Sequence, residues 1–291
     1  KGEDQPGRTL SRSRTAPTSA PRQARAPRFM LASNAERAIG HDAMQTIAFY
    51  NLKGGVGKTA TAVNMAWHAA RWKYRTLLWD LDPQGAASFY LGADDSPGYK
   101  AGSLLKGRQT LASLKQQTRW PNLEVIPADL SMRNADIKLA EDGGGKARLK
   151  ELVAPFGESY PLVMLDCPPT LSPVAESIFA AADWLIVPVI PTHLSLRAFE
   201  QVLEWLDGKK FKHLKVVPFF NMVDRRRDLH VEMLVKRPAA MKNGLKTWIP
   251  YSTHVEQMGD HRAPVGEFAP YTPAAQAYRA MWFELAERLK L

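Results

Sequence analysis

The chain has little cysteine: Cys167 is the only one among 291 residues. Disulfide frameworks and cysteine-ligated zinc or iron–sulfur sites need several cysteines, so these classes are excluded. No stretch is apolar for long enough to span a bilayer, and no basic-then-apolar secretory signal is visible. Together these absences favour a cytoplasmic location in a reducing compartment.

Acidic residues are outnumbered by basic ones. Lysine and arginine total 39 against 29 aspartate and glutamate residues, for a formal net charge of +10. Such an excess favours an anionic partner, which could be nucleic acid, an acidic membrane surface or a nucleotide. A merely well-solvated surface would give the same bulk number.

Residues 1–43 differ in composition from the remainder. They are rich in Pro, Ser, Ala, Thr and Arg and poor in aromatic and β-branched residues. Such a segment buries too little apolar surface to offset the entropy of ordering, so we predict a disordered basic arm. The alternative is a leader foreign to the natural protein, with Met44 as the natural start. The arm carries eight cations and four acids, or +4, which leaves +6 on residues 44–291.

From residue 44 onward, short apolar runs alternate with amphipathic segments. The predicted strands are Gln45–Tyr50, Arg75–Asp80, Leu123–Pro127, Leu162–Asp166, Trp184–Val189 and Val216–Phe220. The predicted helices include Thr59–Arg71, Ala147–Val153 and Pro273–Lys290. This alternation predicts an α/β fold with a mostly parallel β-sheet flanked by helices on both faces.

A glycine-rich loop at residues 53–59 reads Lys-Gly-Gly-Val-Gly-Lys-Thr and stands between a predicted strand and helix. In such a loop backbone N–H groups cradle phosphates, Lys58 adds charge and the Thr59 hydroxyl binds Mg²⁺. The strict pattern needs glycine where Leu52 stands, so this is a P-loop variant with an extra lysine, Lys53. The position of the loop predicts nucleotide binding.

Acidic residues follow two other predicted strands. Asp80 and Asp82 close one strand at alternating positions, which predicts that they face the same side of the sheet. Asp166 closes another strand, the usual place of a Mg²⁺-shell carboxylate beside a phosphate loop. Asp80 and Asp82 could alternatively serve a turn or a helix N-cap. Cys167 has no accompanying His or Asn pattern, so we expect a small buried residue rather than a nucleophile.

Three segments together resemble the deviant Walker-A ATPases of the ParA/MinD family: KGGVGKT at 53–59, DLDPQG at 80–85 and LDCPP at 165–169. Residues 221–226 resemble the family's nucleotide-base strand, and residues 249–250, 263–265 and 275–278 resemble its C-terminal segment more loosely. The resemblance covers about residues 44–290. It fits the Soj-like ParA branch better than MinD, because of the DPQG and MVDRR segments.

The resemblance implies a slow, partner-stimulated ATPase in which two subunits sandwich two ATP molecules. Lys53 would reach the partner's ATP, so the implied catalytic residues are Lys53, Lys58 and Asp82. Mg²⁺ would be held by Thr59, Asp82 and Asp166. The implied ATP-binding residues are Gly54, Gly55, Val56, Gly57, Lys58, Thr59, Ala60, Asn221, Asp224 and Pro250.

The same resemblance implies a homodimer that binds nonspecific nucleoid DNA and positions a cargo through a ParB-like adaptor. The cargo could be a plasmid, a chromosome locus or a protein microcompartment. Candidate DNA contacts are Lys209, Lys210, Lys212, Lys215, Arg225, Arg226, Arg227, Lys236, Arg237, Lys242 and Lys246. Tyr251 stands where many relatives carry Arg after Ile-Pro.

The alternative is a MinD-like, membrane-associated positioning ATPase. It needs an amphipathic tail beyond the last domain helix. The predicted last helix has one apolar face, which we expect to pack on the domain, so no membrane contact is expected. An iron–sulfur carrier of the same fold lacks its cysteine ligands, and no signature of a ligase-type substrate pocket is present.

Overall fold

Seven strands form one sheet in the order β3-β4-β2-β5-β1-β6-β7, in the computed structural model of the chain. The structure describes Gly2 and residues 44–93, 100–105, 108–134, 145–209 and 211–291. Apart from Gly2, the predicted arm at 1–43 lies outside these residues. The strands are β1 Gln45–Phe49, β2 Thr76–Asp80, β3 Gln116–Gln117, β4 Leu123–Ile126, β5 Leu162–Asp166, β6 Trp184–Val189 and β7 Lys215–Phe220.

All strand pairs are parallel except that of β3 with β4. The described α-helices are α1 Lys58–Arg71, α2 Ala86–Tyr90, α3 Ala101–Leu105, α4 Arg148–Val153, α5 Pro173–Ala181, α6 His193–Gly208, α7 Asp228–Lys236, α8 Thr253–Glu256, α9 Met258–His261, α10 Val265–Phe268 and α11 Pro273–Leu289. Four 3₁₀ segments accompany them: Leu111–Leu114, Leu130–Asn134, Ala154–Glu158 and Ala239–Met241.

Two hydrophobic cores lie on opposite faces of the sheet. One contains buried residues of α4, α5 and α6, such as Phe179 and Phe199. The other contains buried residues of α1 and α11, such as Trp67 and Trp282. Side chains alternate along β1, where Ala48 belongs to the first core and Ile47 and Phe49 to the second. The predicted mostly parallel sheet with helices on both faces is confirmed.

The predicted boundaries of β5 and β6 match the structure, and the other predicted strands differ by one residue at an end. β2 ends at Asp80 as predicted, and Asp82 lies in the turn that follows the strand. Asp80 is fully buried, whereas Asp82 is only partly buried. The apolar face expected on the last helix packs into the core, with Tyr278, Trp282 and Leu285 buried.

The parallel sheet brings three functional segments to one edge. β5 lies between β1 and β2, and the register pairs Asp166 with Phe49 on one side and with Asp80 on the other. The glycine-rich loop follows β1 directly. Carboxyl ends of parallel strands share one edge, so the loop and both acidic segments meet there. None of the helices in the described part of the chain has the length and hydropathy that a bilayer crossing requires.

Candidate active site

The glycine-rich loop connects β1 to α1. Gly55 and Gly57 adopt the left-handed conformation, with φ of 69° and 86°. Within the described part of the chain, the N–H groups of residues 54–57 have no hydrogen-bond acceptor. Unpaired N–H groups at the positive end of a helix form a site for an anion.

Two asparagines hold the loop in place. The Asn51 amide donates to the Pro188 carbonyl oxygen at 2.7 Å and accepts from the Lys53 N–H at 2.9 Å. The Asn221 amide donates to the Val56 carbonyl oxygen at 2.7 Å. A Cβ at Gly57 would lie 2.3 Å from this Asn221 nitrogen, so the close approach requires glycine. The loop is therefore preorganised by β1, β6 and β7.

The two lysines of the loop lie in different environments. Lys58 is buried, with 7% exposure, and its ammonium group donates to the Lys53 carbonyl oxygen at 3.4 Å. Burial lowers the pKa of Lys58, and the carboxylates of Asp166 and Asp82 oppose this effect. The Lys53 side chain is exposed and has no partner among the described residues. Only Lys58 therefore belongs to the interior of this site.

Asp166 is a fully buried carboxylate opposite Asp80. Neither of its oxygens has a partner with hydrogen-bond geometry among the described residues. Burial raises the pKa of Asp166 well above its usual range, the Asp80 charge raises it further, and the nearby Thr59 hydroxyl lowers it. Because an unpaired buried carboxylate is costly, this arrangement suits a cation at the site.

Asp80 is held by Ser88 and by the next turn. Its carboxylate accepts from the Ser88 hydroxyl at 2.7 Å, the Ser88 N–H at 2.8 Å and the Asp82 N–H at 3.2 Å. The Ser88 hydroxyl also accepts from the Ala128 N–H at 2.9 Å. Burial raises the pKa of Asp80 to about 6, although the Ser88 hydrogen bonds lower it. Asp80 thus positions the Asp82 turn and α2.

The Asp82 carboxylate closes its own turn. It accepts from the Gln84 N–H at 3.0 Å, and Gly85 follows in the left-handed conformation before α2. Asp82 is partly exposed, and its charge contributes to raising the pKa of the buried Asp166. The turn role and the site role therefore coexist in this one side chain.

The residues present fit a magnesium nucleotide. No group of three or more His, Cys, Asp or Glu side chains gathers into a metal site anywhere in the described residues. Mg²⁺ in nucleotide sites takes one or two protein ligands and completes its shell with phosphate and water, so Thr59 and Asp166 suffice. The unpaired loop N–H groups, the buried Lys58 and the unpartnered Asp166 are what a phosphate–magnesium pair would satisfy.

A cleft of about 40 Å³ opens beside the loop. Of the three predicted ATP-binding residues outside residues 54–60, Asn221 and Pro250 line this cleft, but the Asn221 amide is engaged with the loop. Asp224 is not part of the lining. Its carboxylate accepts two hydrogen bonds at 2.9 Å from Arg226, which hold the pKa of Asp224 at about 2.

Sequence reasoning missed several residues of the site. Asn51 and Ser88 hold the loop and Asp80 through side-chain hydrogen bonds, and Met222 and Tyr251 line the cleft. Asn51 could have been noticed, because it stands between a predicted strand and the loop. Ser88 had no signal in the sequence, because its partner Asp80 is brought near only by the fold.

Several of the predicted DNA contacts are engaged in ion pairs. Lys209 pairs with Glu176 at 2.7 Å. Arg226 is committed to Asp224, and Lys236 pairs with Glu232 at 2.6 Å. Lys210 lies outside the described residues.

Three of the remaining predicted DNA contacts lie at an open basic cavity beside β7. Arg237, Lys242, Lys246 and Arg288 line it. Both arginines donate to backbone carbonyl oxygens of residues 241–245, including Leu245 at 2.7 Å. The arginines therefore stabilise this segment, and only the two lysines of the cavity are unpaired in the described part of the chain.

Comparison with known proteins agrees with the geometry. A family model described as an AAA domain matches residues 44–215, which is more than half of the chain. The chain is 31% identical over 252 residues to the chromosome-partitioning ATPase Soj of Thermus thermophilus, a match that covers 85% of this chain and 97% of that protein. It is 28% identical over 247 residues to the sporulation initiation inhibitor protein Soj of Bacillus subtilis, covering 82% and 97% of the two chains.

Solved structures agree on the fold. Cobyrinic acid a,c-diamide synthase of Mycobacterium smegmatis, with a bound ATP analog and magnesium, aligns with a TM-score of 0.72 and 25% identity, covering 85% of this chain and 96% of that chain. The Soj proteins, the matching domain model and the glycine-rich loop with its two acidic segments agree with one another. The chain therefore belongs to the ParA/MinD family of P-loop ATPases, on the Soj-like side of that family.

Proposed function

We propose that the protein binds and hydrolyses ATP with Mg²⁺ and uses this cycle to position a cargo in the cell. The single observation that carries the proposal is that the two lysines of one loop lie in different environments. Lys58 is buried beside Asp166, while Lys53 is exposed and unpaired among the described residues. One lysine suffices to hold phosphate within a subunit, so the second is available to another subunit.

The site residues have complementary roles in this proposal. The N–H groups of residues 54–57 and the Lys58 ammonium group bind phosphate oxygens, and Thr59 with Asp166 holds Mg²⁺. When bound, Mg²⁺ supplies positive charge for the phosphate oxygens during transfer. Asp82 orients the attacking water, and Asp80 keeps the Asp82 turn in place through the Asp82 N–H.

The nucleotide state would control dimerisation. In the proposed ATP-bound dimer, the loop edges of two subunits face each other and Lys53 reaches the partner's phosphates. An added cation at the transferring phosphate stabilises the transition state, as an arginine finger does. Dimerisation and hydrolysis would both depend on this one side chain.

The ATP-bound dimer would bind nonspecific DNA and travel with the nucleoid in the cytoplasm. The formal charge of +10 supports a polyanionic partner. A ParB-like adaptor would link the dimer to its cargo and stimulate hydrolysis. The Soj relative from Thermus thermophilus is a chromosome-partitioning ATPase, which supports a plasmid or a chromosome locus as cargo.

Lys53→Ala tests the proposal directly. Measured by sedimentation with ATP and Mg²⁺, the wild-type chain should dimerise and Lys53→Ala should remain monomeric, because the charge supplied to the partner is lost. Lys53→Ala should still bind a fluorescent ATP analogue, since Lys58 is intact. Lys58→Ala should lose both properties, and Asp82→Ala should accumulate as the ATP-bound dimer.

Two results would contradict this proposal. An ATP-dependent dimer of Lys53→Ala would remove the shared-lysine mechanism. ATP-dependent retention on phosphatidylglycerol vesicles without retention on DNA would favour the MinD-like alternative.

A further inference from the structure

A basic and aromatic surface lies at the C-terminal end of α1, remote from the ATP site. We call it the basal surface. It consists of Arg71, Trp72, Lys73, Arg75, Arg279 and Phe283. None of these residues belongs to the ATP site or to the DNA contacts predicted from the sequence.

Its side chains are arranged as cations beside aromatic rings. Arg71 lies over the buried Trp67 ring at 4.8 Å. The exposed Trp72 contacts Phe283 edge-on with ring centroids 5.0 Å apart, and Arg279 lies 5.8 Å from the Phe283 ring. These contacts join the end of α1 to α11. Arg71, Arg279 and Phe283 lie on these two helices, whereas Trp72, Lys73 and Arg75 lie in the turn between α1 and β2.

Most of its positive charge is uncompensated. Arg75 lies 3.9 Å from Glu124, and Lys115 pairs with the same carboxylate at the shorter distance of 3.2 Å. Arg71, Lys73 and Arg279 have no acidic partner among the described residues. Arg71 and Arg279 converge on His68, a buried imidazole whose pKa is lowered to about 3 by burial and then by these two cations. Because no carboxylate in the described residues pairs with Arg71, Lys73 or Arg279, an external anion would relieve the repulsion between these cations.

The basal surface stays accessible in the proposed dimer. α1 has 14 residues, so its C-terminal end lies about 20 Å from the phosphate loop. In that dimer the loop edges face each other, which leaves the opposite ends of the α1 helices exposed. A partner of the basal surface could therefore bind while ATP is held between the subunits.

Its chemistry fits nucleic acid better than a bilayer. Three of its four cations are arginines, whose planar guanidinium groups donate two parallel hydrogen bonds to phosphate. A helix that lies on a bilayer inserts a broad apolar face into it, whereas the apolar part of the basal surface consists of Trp72 and Phe283, which pack against each other. We propose that the basal surface binds the phosphate backbone of nonspecific duplex DNA, an inference that rests on the proposed DNA-binding function.

Lys73 permits a test that misfolding does not confound. Lys73 has a φ of 68°, the left-handed region in which glycine is less strained than lysine. Lys73→Gly therefore removes one basal cation while relieving the backbone. Lys290 is a matched control, because it is an exposed lysine with a φ of 61°. It lies seven residues beyond Phe283, or about 10 Å along α11.

The experiment measures the binding of a labelled random-sequence duplex to the full chain, with ATP and Mg²⁺, over a series of salt concentrations. Lys73→Gly should weaken binding about threefold to tenfold and reduce the slope of log affinity against log salt by about 0.9, the value for one phosphate contact. Arg71→Gln/Arg279→Gln should reduce the slope by about 1.8. Lys290→Gly should retain the wild-type affinity and slope, and Lys73→Gly should unfold at or above the wild-type temperature.

The outcomes separate this surface from the general proposal. If the wild-type chain with ATP does not bind the duplex at low salt, the proposed DNA-binding function fails. If the wild-type chain binds but the basal variants keep its slope, or Lys290→Gly loses as much as Lys73→Gly, only the basal surface is refuted. Loss of binding to phosphatidylglycerol vesicles with unchanged DNA binding would reassign the surface to membranes.

Discussion

Asp166 and Asp80 show how individual residues of this site depend on a cation. Both carboxylates are fully buried and lie opposite each other on adjacent strands. Ser88 satisfies Asp80, but no hydrogen-bond donor with good geometry in the described residues satisfies Asp166. Two buried carboxylates on adjacent strands oppose the ionisation of each other, and bound Mg²⁺ would offset their repulsion. The nucleotide-free protein is therefore destabilised at the residues it needs for binding.

Asp166→Asn should stabilise the nucleotide-free protein and abolish its response to Mg-ATP. Removing the unpaired buried charge should raise the free energy of unfolding by about 1–3 kcal/mol, or the unfolding temperature by about 2–9 °C. Thermal unfolding of both chains with and without Mg-ATP measures the effect. Mg-ATP should raise the unfolding temperature of the wild-type chain only.

The increase in the free energy of unfolding that Asp166→Asn produces should depend on pH in a defined direction. Burial raises the folded-state pKa of Asp166 and of Asp80, the latter to about 6, above the unfolded values near 3.8. The folded state then binds more protons, so these groups cost stability as pH rises from about 4 through the folded pKa values. Asp166→Asn should gain more at pH 7.5 than at pH 5. The exposed Asp207→Asn is the control, and an equal gain at both pH values would argue against an ionised Asp166.

At the scale of elements, the short C-terminal helices fix α1 against the sheet. The Val265 N–H donates to the Asn64 carboxamide oxygen at 3.1 Å, and the Asn64 amide group also contacts the Met258 sulfur at 3.3 Å. Gly266 lies directly on the Trp67 ring, which is 2% exposed. α10 therefore packs closely on α1 because Gly266 has no side chain.

Gly266→Ala should lower the free energy of unfolding by about 1–3 kcal/mol, since overpacking a tight core contact costs that much. Its Cβ would lie 2.4 Å from the Trp67 ring, which has no room to move in the core. Gly259→Ala in the neighbouring α9 is the matched control, because its Cβ would have no atom closer than 3.8 Å. Urea unfolding of both variants provides the measurement, and similar stabilities would show that α10 shifts freely.

The sequence predicted elements well where the signal was local. β5 and β6 are continuous apolar runs, and their boundaries were predicted correctly because a strand buried on both faces needs nothing else. α5 was missed although Ser172 before Pro173 is a capping signal, and the Ser172 hydroxyl accepts from the Ala175 N–H at 3.4 Å. β3 consists of two glutamines and forms through pairing with β4, so no local pattern could predict it.

The sequence predicted those site residues that belong to local motifs, and it did not predict those that are held by contacts of the fold. The phosphate loop and the strand-end position of Asp166 are local motifs, and both were placed correctly at one edge of the sheet. The hydrogen bond between Asn221 and Val56 joins segments that are 165 residues apart in sequence, and the hydrogen bond between Ser88 and Asp80 joins a strand end to the next helix. Such contacts arise from the fold, so a motif search over a single chain does not find them.

At the scale of the whole molecule, the core residues and the positive charge are distributed differently along the chain. Every core residue in the described part of the chain lies after Met44, whereas the positive charge is divided between residues 1–43 with +4 and residues 44–291 with +6. If residues 1–43 form the predicted disordered arm, they contribute to the long-range attraction of polyanions and not to folding. The two properties should separate when the first segment is removed.

A chain that begins at Met44 should keep its unfolding temperature within about 2 °C, because a disordered arm would contribute less than about 1 kcal/mol to the free energy of unfolding. Its ATP hydrolysis without partners should be unchanged. Its affinity for DNA should fall while remaining salt-dependent, since +6 persists on residues 44–291. Calorimetry and duplex binding of the two chains test this prediction. A large fall in unfolding temperature would show that residues 1–43 pack on the domain, and complete loss of DNA binding would assign the polyanion contact to them instead of to the basal surface.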